Sequence, residues 1–180
     1  LFRSKTQRLP TVAVMHVRLD DIDVEKKLEF HCQFHFVKSI RHKPKAHAYP
    51  GNNEPGGMTS RQWRNGFDLL SRLGLRFDLQ TPWWHMHEAH ALANDYPESS
   101  IIINHSGLPA DRSSTGLHQW ENAMRKVSKC PNVSIKISGI GVPKNPWTVE
   151  ANGLIVETLI ELFGIERCMF ASNFPVDKVC

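Results

Sequence analysis

The stretch Asn104-His105-Ser106-Gly107-Leu108-Pro109 places an imidazole directly after the apolar run Ser100–Asn104 and just before a Gly/Pro turn. A histidine in that position is a poor core residue and a good metal ligand or proton carrier near neutral pH. Arg41-His42 closes a second apolar run and faces Lys43–Met58, a segment broken by three Pro and three Gly. A guanidinium there can grip a carboxylate or an oxyanion through two parallel hydrogen bonds. It could equally pair with a carboxylate on a neighbouring strand end such as Asp78, and the residues leave both readings open.

The alternation of Val133–Ser138 sets Ser134, Lys136 and Ser138 on one face and Val133, Ile135 and Ile137 on the other. In Leu75–Gln80, Asp78 and Gln80 oppose Phe77 and Leu79, and His105 falls in phase with Ile101 and Ile103. Several strands thus carry an ionisable group at or just past their carboxyl ends, the edge where parallel α/β folds build their sites. A single wet face on an antiparallel sheet would also be polar. A parallel sheet covered on both faces needs a reason to hold such groups, and a site supplies it.

The other histidines carry less. His85 and His87 form an HxH, and His87-Glu88-Ala89-His90 resembles half of a zinc-protease motif. Its histidines are three apart where the helical HExxH needs four. These residues, with His31 and His35, read as structural or surface histidines. No G-x-S-x-G, P-loop or GxGxxG occurs, which leaves serine-hydrolase and nucleotide-binding readings without support.

Strands are expected over Thr11–Val17, Val37–Ile40, Leu75–Leu79, Ser100–Asn104, Val133–Ser138 and Cys168–Ala171. Between them lie helical patterns. One is capped by Asp23, with Val24, Leu28, His31 and His35 on a face; a second starts at Thr59 or Ser60 and aligns Trp63, Phe67 and Leu70. A third starts at Thr81-Pro82 and runs to about Asp95, a fourth aligns Trp120, Met124 and Val127, and a fifth starts at Thr148 and aligns Ile155, Leu159 and Leu162. Gly74 and Gly164 end two of them in the same way. Strand ends recur about every 31 residues, one βα unit each. The alternation predicts a parallel sheet, either six units of an eight-unit barrel or an open sheet with helices on both faces.

The chain has 180 residues, 41% of them hydrophobic and 22% charged, which excludes a disordered, collagenous or coiled-coil protein and fits one domain with a real core. Net charge is +4. It is concentrated in residues 1–50, where 10 Lys+Arg meet 5 Asp+Glu, yet no basic block exists to suggest a nucleic acid partner. No apolar run reaches membrane-spanning length, and Leu1–Pro10 lacks the apolar core of a signal peptide. The four cysteines show no framework spacing and read as reduced thiols of a cytoplasmic protein. Oligomeric state is not legible.

With these residues in hand, the chain resembles the amidohydrolase-related TIM-barrel hydrolases, including the fuconolactonase-like and pyrone-dicarboxylate lactonases. The matching pieces are Ile40-Arg41-His42, Arg76-Phe77-Asp78-Leu79, Ile103 to Pro109, Val133 to Gly139 and Met169 to Asp177. The resemblance implies an α/β fold of the TIM (β/α)8 type. Over 1–180 it implies the C-terminal portion of the barrel domain, about six of eight βα units, with the first two and their HxH strand missing. It implies hydrolysis of a lactone, a small-molecule cyclic ester, by an activated water, with a divalent metal such as zinc as the candidate cofactor. Decarboxylation within the same superfamily, or a non-catalytic incomplete barrel, are the alternatives, and the chain by itself is expected to lack activity. His105 is then expected to polarise the substrate or ligate the metal, Arg41 and His42 to hold substrate polar groups, and Lys136 to stabilise charge. Asp78 is expected to orient Arg41 or His42. The family's last strand usually ends in Asp; here Asn173 stands at that place and cannot act as a base. Asp177, four residues on, can replace it only where the loop folds back.

Overall fold

The computed structural model describes residues 11–179 apart from 53, 144 and 145. The opening decapeptide and Cys180, on which two of the expectations above fall, lie outside the described residues. Along the chain come β1 (Ala13–His16), α1 (Val24–Cys32), β2 (Val37–His42), α2 (Arg61–Arg72), β3 (Arg76–Leu79), α3 (Met86–Asp95), β4 (Ile101–Ile103), α4 (Ser114–Val127), β5 (Val133–Ile137), α5 (Val149–Phe163) and β6 (Cys168–Phe170).

The six strands form one sheet in the order of the sequence, and every neighbouring pair is parallel. A doubly wound sheet must reverse its strand order at a switch point. An uninterrupted order with right-handed crossovers keeps every helix on one side, as the staves of a barrel require. The open-sheet alternative is thereby set aside. Among the described residues, β1 and β6 pair on one side only, and Phe170 on β6 is 85% exposed.

The core lies between the sheet's helix-facing side and the helices. Trp63, Phe67 and Leu70 of α2 share a stripe at i, i+4 and i+7, and all are buried. The Phe67 ring meets Phe77 of β3 edge-on with centroids 5.3 Å apart. Trp120, Met124 and Val127 of α4 and Ile155, Leu159 and Phe163 of α5 join the same cluster over Ile101, Ile103, Val133 and Ile135. Each such side chain contributes roughly 1.5–3 kcal/mol by leaving water. Helix starts are fixed where the sequence has a hydroxyl: Ser60 accepts from Trp63 N, Ser113 from Gly116 N and Thr148 from Ala151 N.

Three local expectations are corrected. Thr81 does not cap α3; a short 3-10 turn over Trp83–His85 intervenes, and the Thr81 hydroxyl is buried without a partner. His35 lies outside α1, which stops at Cys32 because the chain must turn through Phe34 into β2 at Val37. β2 continues two residues beyond Ile40, so Arg41 and His42 lie within the strand.

Candidate active site at the carboxyl ends of the strands

Residues paired across a parallel ladder lie on one face, so the register assigns the inner side of the sheet. Arg41 pairs with Asp78, Asp78 with Ile102 and Ile102 with Ser134. The period of two adds Ser39, Asn104 and Lys136 to that side. Their polar groups converge. Asn104 Oδ1 accepts from Arg41 Nη2 at 3.0 Å and from Lys136 Nζ at 3.1 Å, while Asn104 Nδ2 donates to Leu79 O at 3.2 Å. Lys136 Nζ also donates to Asp78 Oδ1, and Ser39 Oγ donates to Asp78 Oδ2. Asp78 is fully buried.

A buried carboxylate is costly unless it is paired and hydrogen-bonded, and Asp78 is both. Its cation is Lys136, whose long stem reaches across β4; the ion pair of Asp78 with Arg41, and the expectation that Asp78 orients Arg41 or His42, give way to this arrangement. Among the described residues Arg41 Nε is buried with no partner.

His42 is not brought to this cluster. One residue beyond Arg41, it faces the helix side, where its Nδ1 accepts from Leu19 N at 3.1 Å and from Trp63 Nε1 at 3.0 Å. Burial pushes its imidazole down to about 4, against a weaker pull from Asp20 in the other direction. A neutral ring wedged under Trp63 holds the β1–α1 loop to α2 and is poorly placed to grip a substrate. Period-two counting from Arg41 already separates the two residues.

His105 leaves the strand's phase. Its φ is 55°, and Ser106, Gly107 and Leu108 follow at 53°, 68° and 59°. Three non-glycine residues in the left-handed region each cost roughly 1–3 kcal/mol, and such strain is kept where surroundings enforce it. Here they do. Ser106 Oγ donates to Ser138 O at 3.1 Å and accepts from Ser138 N at 3.3 Å, and Trp120 Nε1 donates to Ser106 O at 2.7 Å. The turn carries the ring away from the side of Ile101 and Ile103 and sets its Nδ1 3.1 Å from Ser138 Oγ, on the inner face. Burial first, then Arg41, lower the imidazole pKa, Asp177 opposes them and Lys136 adds to the lowering.

Asn173, with φ 49°, starts a turn that brings the chain back. Its Nδ2 donates to Asp177 Oδ1 at 2.9 Å, and Gly139 N donates to Asp177 Oδ2 at 3.1 Å. The fold-back that Asp177 requires is therefore present, with the carboxylate beside the β5 end. A cavity of about 630 Å³ opens there, walled by Ile140, Trp147, Ile160 and Phe170, with Ser138 and Asp177 among its polar lining.

A divalent ion is what the family resemblance implies. Among the described residues no three His, Cys, Asp or Glu side chains gather where they could hold one. The buried Asp78 faces an ammonium group. The described residues do not by themselves complete a metal site, and no step is derived through a metal.

Four participants escaped the reading of the sequence: Ser39, Asn104, Ser106 and Ser138. The inward phase of Asn104 with Ile102 and the place of Ser138 on the face of Lys136 are the available signals; Ser39 and Ser106 give none, because their roles are contacts between strands. The HxH histidines are settled as structural or surface. His85 is buried, hydrogen-bonded to Glu88 at 2.8 Å and to His47 N at 3.0 Å, which pins the long β2–α2 loop, and His87 is exposed.

Comparison with known proteins follows the same direction. The amidohydrolase family model matches residues 6–180. A Sinorhizobium fredii protein, described as uncharacterized protein y4mH, is 41% identical over 160 residues, which is 87% of this chain and 54% of that protein. An L-fucono-1,5-lactonase of Burkholderia multivorans is 32% identical over 101 residues, 50% of this chain and 31% of its own length. Among solved structures, an amidohydrolase from Burkholderia multivorans with bound zinc superposes with a TM-score of 0.78 at 17% identity, covering 94% of this chain and 61% of that one. At that identity the likeness shows the fold. The chain spans about half the length of the first curated relative, or less for the second.

Proposed function

The chain belongs to the amidohydrolase family, and on that premise we propose that its strand-end cluster opens a lactone by adding water to the cyclic ester. We place residues 1–180 as the C-terminal portion of a barrel domain whose HxH strand lies outside them. The observation that carries the reading is the convergence of Arg41, Asn104, Lys136 and Asp78 into one hydrogen-bonded net, with the His105 turn braced against the next strand.

In this reading the ester carbonyl lies against His105 and Lys136, and the Arg41 guanidinium holds a substrate carboxylate or hydroxyl. Asp177 orients a water and takes one proton as the oxygen attacks the carbonyl carbon. Negative charge growing on the carbonyl oxygen is stabilised by the Lys136 ammonium and the His105 N–H, both fixed before the reaction starts. The ring C–O bond then breaks, and the leaving oxygen takes the proton from Asp177 to give the open hydroxy acid. Asp78 and Asn104 touch no reacting atom; they hold Lys136 and Arg41 in place. The free thiols of Cys32, Cys130 and Cys168 suit a reducing cytoplasm. No helix among the described residues is long and apolar enough to cross a membrane.

A non-catalytic binding role is the second reading, favoured by Asn173 at the place of the family's Asp. Titrating acid release from L-fucono-1,5-lactone, and following CO₂ release from 2-pyrone-4,6-dicarboxylic acid in a separate assay, separates the readings in the whole protein. Acid release above the uncatalysed rate, with no CO₂ from the dicarboxylic acid, is expected. CO₂ from the dicarboxylic acid favours a decarboxylase, and neither product favours the binding role.

A further inference from the structure

Ser138 is 2% exposed and lies on the inner face at the end of β5. Its backbone N–H is spent on Ser106 Oγ and its backbone oxygen accepts from the same hydroxyl, so Ser106 has neither a proton nor a close approach left for the Ser138 side chain. Among the described residues, the partner of Ser138 Oγ is His105 Nδ1, at 3.1 Å. A buried hydroxyl proton left without an acceptor is costly, whereas an oxygen lone pair left unfilled is more readily tolerated. A hydroxyl that donates here finds its acceptor in Nδ1, which is then the unprotonated nitrogen of the ring. Among the described residues Nε2 has no protein partner, and it is not a buried atom, so it remains open to what enters the cleft.

We propose that Ser138 is a positioning residue whose hydroxyl donates to His105 Nδ1 and keeps the ring's proton on Nε2, so that His105 meets a substrate as a hydrogen-bond donor and not as a base. The neutral ring that this requires agrees with the lowering of its pKa by burial and by Arg41. Gly139 is part of the device. A Cβ built there would lie 2.7 Å from His105 Cβ, so the close approach of the His105 turn to the β5 end depends on a glycine after Ser138. The catalytic consequence rests on the lactone reading given above; the tautomer does not.

The test uses the chain with ¹⁵N-labelled histidine, the His105 signals being those absent from a His105→Gln sample. Long-range ¹H–¹⁵N correlation at neutral pH is expected to show Nδ1 as the pyridine-type nitrogen and Nε2 as the pyrrole-type one. Ser138→Ala should move both nitrogens towards averaged shifts, and Ser138→Thr, which keeps the hydroxyl, should retain the pattern. In the whole protein Ser138→Ala should lower kcat about tenfold, the scale of one neutral hydrogen bond, with KM unchanged and Ser138→Thr restoring the rate. A protonated Nδ1 in the unaltered chain overturns the proposal, and so does a Ser138→Ala chain with unmoved shifts. The expected tautomer in a protein that opens no lactone would leave this inference standing and remove the functional reading.

Discussion

The Lys136 ammonium lies against the Asp78 carboxylate, two strands away across β4, and both meet the Asn104 side chain or its neighbours on the inner face of the sheet. The pair is buried on the carboxylate side and 14% exposed on the lysine side chain. Two charges taken out of water gain little net stability when paired, yet removing one strands the other. What the pair contributes is a fixed cation in the cleft.

Lys136→Met should therefore destabilise the chain by about 3–5 kcal/mol, read as a drop in the urea midpoint at unchanged slope. The double variant Lys136→Met, Asp78→Leu should recover most of that loss while remaining inactive. A double variant as unstable as the single one would contradict the ion-pair account.

His42 makes stability depend on acid. In the folded chain its pKa is about 4, against an ordinary 6.5, so between those values the unfolded chain binds a proton that the folded one refuses. Its contribution is complete above 6.5 and is lost as pH falls towards 4, at most about 3 kcal/mol. Burial lowers the His105 pKa too, which adds in the same direction. Urea unfolding across that range checks the slope. His42→Asn, whose amide oxygen can replace Nδ1 as the acceptor for Leu19 N and Trp63 Nε1, should flatten it. An equal slope in the variant would place the titration elsewhere.

Gly139→Ala strikes the His105 turn without touching a polar group. The residue has φ 61°, and the added methyl would collide with His105. A loss of about 1–3 kcal/mol is expected from the overpacking, with lactone turnover falling further than stability explains. Thermal unfolding and initial rates on the same preparation measure the two effects separately. Unchanged turnover would mean that the position of His105 does not matter.

The strand and helix order was legible because the apolar spacing is clean: period two in Val133–Ile137, period 3.6 in α2 and α4. The hydroxyl caps at Ser60 and Thr148 and the glycine stops at Gly74 and Gly164 marked element ends. Arg41, Asp78 and Lys136 were legible as inward, strand-end charges, but their pairing was not. Which cation takes Asp78 depends on side-chain reach across a neighbouring strand, and sequence spacing does not encode it. His105 was found by its place after β4, while its true facing was hidden, since the left-handed turn breaks the alternation from which facing is counted. His42 shows the reverse: the alternation runs through it unbroken and sets it on the helix side, away from its neighbour Arg41.

Asp177 is tied to Asn173 and Gly139, which fixes the carboxylate proposed as the base. Asp177→Asn should keep the fold and lower kcat by roughly 10²–10⁴, with circular dichroism confirming the fold. A loss of less than tenfold would remove Asp177 as the base.

The most direct measurement is the initial rate at which the whole protein opens L-fucono-1,5-lactone, compared with its His105→Ala variant at matched folded fraction. The strand-end cluster as the reacting centre predicts that the variant falls to the uncatalysed rate while its melting stays close to that of the unaltered protein. Equal turnover by the two proteins would contradict it.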